Sequence, residues 1–222
     1  MNNGTDGLLN IFIEYFPRVI VLLVCLPIHE MSHAFAANAY GDDTPRINGR
    51  LTLNPFAHLD VLGSFLILFQ GFGWAKPVPI NPVVLRRSSP SAVMWVSLAG
   101  PLSNLVLAIV TFIPLRLVFD LIKSGALTSA FFIILVEILF NFLRINLMLA
   151  IFNLIPLAPL DGEKVLEYFL PQPAMAFFNQ IRPYAPLVLV GVFIILPYLG
   201  IHVFDIIMTP INNGLLFLLG AK

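Results

Sequence analysis

The chain has 222 residues, 59% of them hydrophobic and only 11% charged, with a mean hydropathy of +0.92. A water-soluble domain could not hide that much apolar surface, so several segments must face lipid. Twelve basic and twelve acidic residues balance, which gives no basic excess for nucleic acid, and the single cysteine, Cys25, excludes a disulfide framework and a cysteine-rich metal knuckle.

The first ten residues carry Asp6 and no Lys or Arg, unlike the basic start of a signal peptide, so the first hydrophobic segment is expected to be retained. That segment, Ile11–Tyr40, is long enough to cross a bilayer and is closed by Gly41. It contains His29-Glu30-Met31-Ser32-His33, three ionisable side chains where such groups are costly and normally functional. Next comes a polar, turn-rich stretch, Gly41–Ala57, in which Arg46–Leu53 partly alternates around Asn48-Gly49 and reads as a β-hairpin. Leu59–Phe72 is apolar but short, a re-entrant or interfacial segment. Gly73–Pro90 is a connector that Pro77, Pro79 and Pro82 keep extended.

Further hydrophobic segments follow at Ser91–Phe119, Ala126–Ile155, Tyr184–Leu196 and Ile201–Leu219, with a break at Pro156–Pro173 and a turn at Pro197, Tyr198 and Gly200. The expected fold is an all-α polytopic bundle of five to six transmembrane segments with a membrane-associated hairpin and a re-entrant segment. It forms one domain over residues 1–222, with a catalytic core at about 11–170 and a C-terminal helical pair at about 183–219. If Leu59–Phe72 does not cross, Arg46, Arg50, Lys76, Arg86, Arg87, Lys164, Arg182 and Lys222 share one side, against Arg116 and Lys123 on the other. The positive-inside rule then puts the N-terminus outside and the His29–His33 end of its helix near the cytosol.

On a helix, His29 and His33 lie one turn apart on one face, about 6 Å in rise, so both imidazoles reach one ion. Glu30 is rotated by about 100° to the edge of that face, where it suits a general base and acid. Catalytic zinc usually has three protein ligands and an open position. Asp161 is the candidate third ligand: it follows a helix that Pro156 and Pro159 must end, and Gly162 permits a tight approach. Asn153, on the last turn of that helix, is placed to donate to an oxyanion.

H-E-x-x-H in an apolar helix, followed by N-x-x-P-x-x-x-x-D-G at Asn153–Gly162, resembles the site-2 protease family of intramembrane zinc metalloproteases. Ser97-Leu98-Ala99-Gly100-Pro101-Leu102-Ser103-Asn104 and Asn54-Pro55-Phe56-Ala57-His58-Leu59-Asp60 match as well. Gly73-Trp74-Ala75-Lys76-Pro77-Val78-Pro79 is similar to a connector of the compact bacterial members. The resemblance covers Ile11 to about Leu170. It implies one zinc ion held by His29, His33 and Asp161, with Glu30 as base and acid and Asn153 at the oxyanion. It also implies hydrolysis of a peptide bond within a membrane-spanning protein substrate, with the lipid bilayer as the other partner. The expected location, a bacterial plasma membrane, rests on this resemblance and not on charge.

His58, Asn104, Asn48 and Pro77 are candidate substrate contacts. His58 reads equally as structural, and Asn104 as an interhelical hydrogen-bond partner. Glu137, Asn141 and Arg144 form a stripe expected to face the bundle interior. Asp60 reads as a helix-start residue and Cys25 as buried packing. Two other functions fit parts of the pattern. A non-proteolytic helix-binding scaffold of the same family predicts gaps in the catalytic set, and none is found. A transporter with a midplane cation site predicts inverted repeats, also not found.

Overall fold

A computed structural model describes residues 15–70 and 73–220, so the parts of the expected segments at 11–14 and 71–72, and Lys222, lie outside the described residues. These residues are mostly helical and contain no sheet. The helices in chain order are α1 (Tyr15–Ala39), α2 (Val61–Gln70), α3 (Pro82–Ser88), α4 (Ala92–Lys123), α5 (Ala130–Asn153), α6 (Asp161–Phe169), α7 (Gln172–Ile181), α8 (185–198) and α9 (Val203–Leu219).

Three of them, α1, α4 and α5, are long and apolar enough to cross a membrane, with 25, 32 and 24 residues. At a rise of 1.5 Å per residue even the shortest exceeds the roughly 30 Å hydrocarbon core. The outer face of α4 carries Val106, Ile109, Val110, Ile113 and Leu117, all more than half exposed, a surface suited only to lipid. The expected count of five to six spans is not confirmed. α9 has 17 residues, and the ten of α2 rise only about 15 Å, half the core thickness.

The buried positions of α1 include Leu22, Leu26, His29, His33 and Ala37, spaced by three or four, so the two histidines fall on the face turned to the bundle. Five residues of this helix, Val21–Cys25, widen into a π turn just before Leu26-Pro27. Pro27 offers no N–H to the carbonyl one turn back and its ring would crowd it, and the wider turn relieves both. A second π turn, Gly191–Ile195, stands in the same relation to Pro197.

On α4 the buried stripe runs Ser97, Gly100, Asn104, Ala108, Thr111 and Leu115. Its small residues let α1 approach closely at one end. At the other end Leu115 packs with Leu143 of α5 and Leu215 and Leu219 of α9. Arg116 and Lys123 donate to the carbonyls of Leu218 and Gly220, satisfying the last turn of α9.

The β-hairpin expected at Arg46–Leu53 is not formed. Thr44–Ile47 is a single helical turn, entered through Pro45 and through an Asp42 Oδ1 that accepts the Thr44 N–H. Asn48 caps it, Gly49 takes φ +65°, and the N–H groups of Gly49 and Arg50 return to the carbonyls of Arg46 and Pro45. That is a Schellman closure, so Asn48-Gly49 ends a helix instead of turning a hairpin. The extended pairing among the described residues is one antiparallel bridge, Leu59 to Ala75, beside a Lys76 N–H to His58 carbonyl bond of 2.8 Å.

Asp60 starts α2 as expected, its Oδ1 accepting the Gly63 N–H at 2.8 Å. The inward stripe on α5 is also corrected. Glu137 is exposed, Asn141 and Arg144 are half-buried, and Asn141 donates to the Glu137 backbone carbonyl.

Candidate metal centre

Three ligand atoms from two distant parts of the chain converge between α1, α4 and the start of α6. His29 Nε2 and His33 Nε2 are 3.1 Å apart, and Asp161 Oδ2 lies 3.1 Å from the first and 3.2 Å from the second. A tetrahedral zinc ion with nitrogen and oxygen ligands at 2.0–2.1 Å spaces them about 3.3 Å apart. The observed triangle therefore fits one face of such a site, and two imidazoles with a carboxylate are an established donor set for zinc. All three side chains are buried or nearly so. Burial works against charge on Asp161, but the imidazoles of His33 and His29 outweigh it and hold the carboxyl well below the usual carboxylate range.

The local sequence explains the approach. α5 ends at Asn153, and the chain doubles back so that Gly162 lies against the carbonyls of Leu154 and Ile155; a β-carbon there would sit 2.5 Å from the Ile155 oxygen. The turn this closeness allows delivers Asp161 in the first turn of α6. Gly100 of α4 faces the metal position from the opposite side. A β-carbon there would lie 2.6 Å from His29 Nε2 and closer still to His33 Nε2, so this side of the triangle is open only because residue 100 has no side chain.

Hydrogen bonds behind the histidines fix which ring nitrogen faces the ion. His33 Nδ1 is 2.7 Å from the Val96 carbonyl, which can only accept, so Nδ1 carries a proton and Nε2 is the nitrogen left to present a lone pair to an ion. For His29 the same result comes through a relay. Asn146 Nδ2 donates to the Phe142 carbonyl at 2.8 Å, which turns Asn146 Oδ1 toward Asn104. Asn104 Nδ2 donates to that oxygen at 2.8 Å, which turns Asn104 Oδ1 toward His29 Nδ1 at 2.6 Å. One backbone carbonyl of α5 thus orients two amides and an imidazole. Asn104 and Asn146 are fully buried. Cys25 Sγ, also buried, accepts from Asn146 at 3.4 Å.

The chain matches known proteins over most of its length. The profile of peptidase family M50 matches residues 17–196. The chain belongs to peptidase family M50. This M50 protein is 48% identical to MJ0611 of Methanocaldococcus jannaschii over 166 residues, 71% of this chain and 77% of that one. It is 40% identical to YwhC of Bacillus subtilis over 176 residues, 79% of each chain. It is 32% identical to Rip2 of Mycobacterium tuberculosis over 148 residues, 65% of this chain and 54% of that one. All three carry names that put them forward as zinc metalloproteases. No solved structure gives a significant match. The M50 protein is a zinc-dependent metalloprotease with the apolar helices of an integral membrane protein.

The M50 fold brings His29, His33 and Asp161 together, with Glu30 buried beside them on α1. Other candidates lie elsewhere. Asn153 donates to the Leu149 carbonyl of its own helix. His58 is fully buried and donates Nε2 to the Thr52 carbonyl at 2.7 Å. Asn48 and Pro77 meet across a cavity of about 420 Å³ that also contacts Arg50, Lys76 and Pro79. Asn104, expected at the substrate, has its amide engaged on both sides by His29 and Asn146. Asn146 was missed, although an asparagine seven residues before Asn153 in an apolar helix is itself a signal.

Proposed function

We propose that this chain hydrolyses a peptide bond in or near a transmembrane segment of another membrane protein. The observation that carries this reading is the placement of two of the three convergent ligands on α1, a helix long and apolar enough to span the bilayer. His29, His33 and Asp161 would hold zinc. When bound, zinc supplies a Lewis acid that polarises a carbonyl and acidifies water.

Glu30 takes the proton of the attacking water at its carboxylate and returns it to the departing amide nitrogen. Asn153, which uses one amide hydrogen on Leu149, has a second to donate to the developing oxyanion. His33 Nδ1 and His29 Nδ1 keep their protons on Val96 and Asn104, so neither ring drifts to the other tautomer during turnover. Asn104 acts here through His29, not on substrate. A spanning helix hides its scissile carbonyl in internal hydrogen bonds and must be partly unwound. The cavity between Asn48 and Pro77 is offered as the place that receives the unwound segment, and His58, whose carbonyl accepts the N–H of the lining residue Lys76, supports it. The distribution of Arg and Lys supports an N-terminus outside and a site near the cytosolic face, and the similarity to YwhC of Bacillus subtilis supports a bacterial plasma membrane.

The test is Glu30→Gln in the native membrane. The variant is expected to bind zinc as the parent does while fragments of transmembrane proteins seen with the parent disappear. Fragments at the parental rate would reject the role of Glu30, and their absence from both membranes would reject the proteolytic reading.

A further inference from the structure

A second cavity, of about 510 Å³, lies away from the metal triangle, between α3, the start of α4, α6 and α7. Arg86 of α3, Lys164 of α6 and Arg182 after α7 converge on it, together with Glu167, Tyr168 and Asn179. Its charge is not balanced. Arg182 pairs with both Glu163 and Glu167, so three cations stand against two carboxylates here and one positive charge is left over. Among the described residues no ion pair joins Arg86 or Lys164 to a carboxylate. Two cations from separate elements therefore face one cavity with no carboxylate paired directly to either, and the cluster around it keeps one net positive charge.

The depth of the cavity narrows what fills it. α4 begins at Ala92 and α5 ends at Asn153, so these antiparallel helices share one bundle end, and the cavity residues stand just before α4 and just after α5. Trp95, Tyr168 and Tyr184, each 46% exposed or more, ring the same end, the side chains that settle at headgroup level.

We propose that this cavity binds a phosphate-bearing ligand. Arg86 and Lys164 hold its phosphate oxygens, and Tyr168 and Asn179 offer hydroxyl and amide partners to whatever the phosphate carries. The two sources of such chemistry are the headgroup of an anionic glycerophospholipid and a soluble phosphate compound. The binding has a consequence for the metal centre, because Lys164 stands one helical turn beyond Asp161 on α6. An occupant bridging Lys164 to Arg86 fastens α6, and with it the third ligand, to α3.

The experiment uses the full chain in neutral detergent with an equimolar mixture of phosphatidylglycerol and phosphatidylcholine, and native mass spectrometry reads the lipid retained. A parallel titration uses inorganic phosphate. Each basic side chain near such a surface is worth roughly fivefold in binding, so the pair is worth about 25-fold. Preference for phosphatidylglycerol that is lost in Arg86→Gln/Lys164→Gln and kept in Arg87→Gln supports the lipid source. Phosphate binding lost in the same double variant, without lipid preference, supports the soluble source. Arg86→Lys guards against a folding artefact, since it keeps the charge and is expected to keep the binding. Neither ligand preferred by the parent, or equal loss in Arg87→Gln, overturns the proposal. None of these readouts depends on proteolysis, so the result stands apart from the proposed function.

Discussion

The amide relay behind His29 gives a demanding test of the metal centre. Asn146→Leu keeps the helix and nearly the volume but removes the group that fixes how Asn104 faces. Two well-formed bonds at 2.8 Å are lost, to Phe142 and from Asn104, with a weaker one to Cys25. The bond from Asn104 joins two helices, where such bonds average about 0.6 kcal/mol, and with the bond inside α5 the cost in stability is about 1 kcal/mol. The cost in metal binding is larger for a reason that stability does not report. A freed Asn104 can present Nδ2 to His29 Nδ1, which favours the tautomer with a proton on Nε2, where the ion needs a lone pair. Loss of such a supporting partner lowers metal affinity about 10- to 100-fold, or roughly 1.4–2.7 kcal/mol. Zinc transfer to a chromophoric chelator of known affinity measures this on the purified protein. Because Asn146 acts through Asn104, Asn104→Leu/Asn146→Leu is expected to bind zinc no worse than Asn104→Leu alone. Parental affinity in Asn146→Leu, or losses that add in the double variant, would refute the relay.

Gly100→Ala is expected to abolish high-affinity zinc binding and lower cleavage at least 100-fold, since its β-carbon meets both Nε2 atoms; metal content and activity at matched fold would check it. Asp161→Asn is expected to weaken zinc binding while leaving the helical circular dichroism unchanged, and the chelator assay again decides. Stripping the metal with a chelator should stop cleavage reversibly, with activity returning on zinc addition in the parent and not in His33→Ala. Arg50→Met should lower thermal stability by about 1–3 kcal/mol, because the buried guanidinium bonds to the carbonyls of Ala57 and Lys76 and both would be left unpaired.

How far the sequence alone reaches depends on whether a signal has one physical meaning or two. Histidines four apart in an apolar helix have one economical reading, and the structure puts both on the buried face of α1. The third ligand was legible because two prolines must end a helix and a carboxylate after them must be accommodated. Asn48-Gly49 has two meanings, since a residue pair suited to positive φ closes a helix as readily as it turns a hairpin. Only Pro45 and the Asp42 acceptor, three to six residues upstream, decide between them. The span count is not confirmed for a related reason. Hydropathy marks α2 and α9 as apolar, but length decides crossing, and their ten and 17 residues fall short of the three long helices.

What composition and periodicity could not reach is the contact between helices that are far apart in the chain. Asn104 and Asn146 are 42 residues apart, and only their shared burial joins them. Neither side chain reveals its direction from its own helix, because each amide is symmetric in shape and asymmetric only in its hydrogen bonds. The direction comes from the Phe142 carbonyl, which can accept and never donate. A chain of bonds that begins at such a one-way group has a fixed polarity along its whole length, and here that polarity ends at the nitrogen pair of His29. The same reasoning explains why His33 needs no relay: Val96 already supplies a one-way acceptor in direct contact. The two metal histidines are thus held in the same tautomer by different lengths of the same device. His29 is therefore the ligand whose function amide substitutions can disturb from a distance, and His33 the one that answers only to a movement of the α4 backbone.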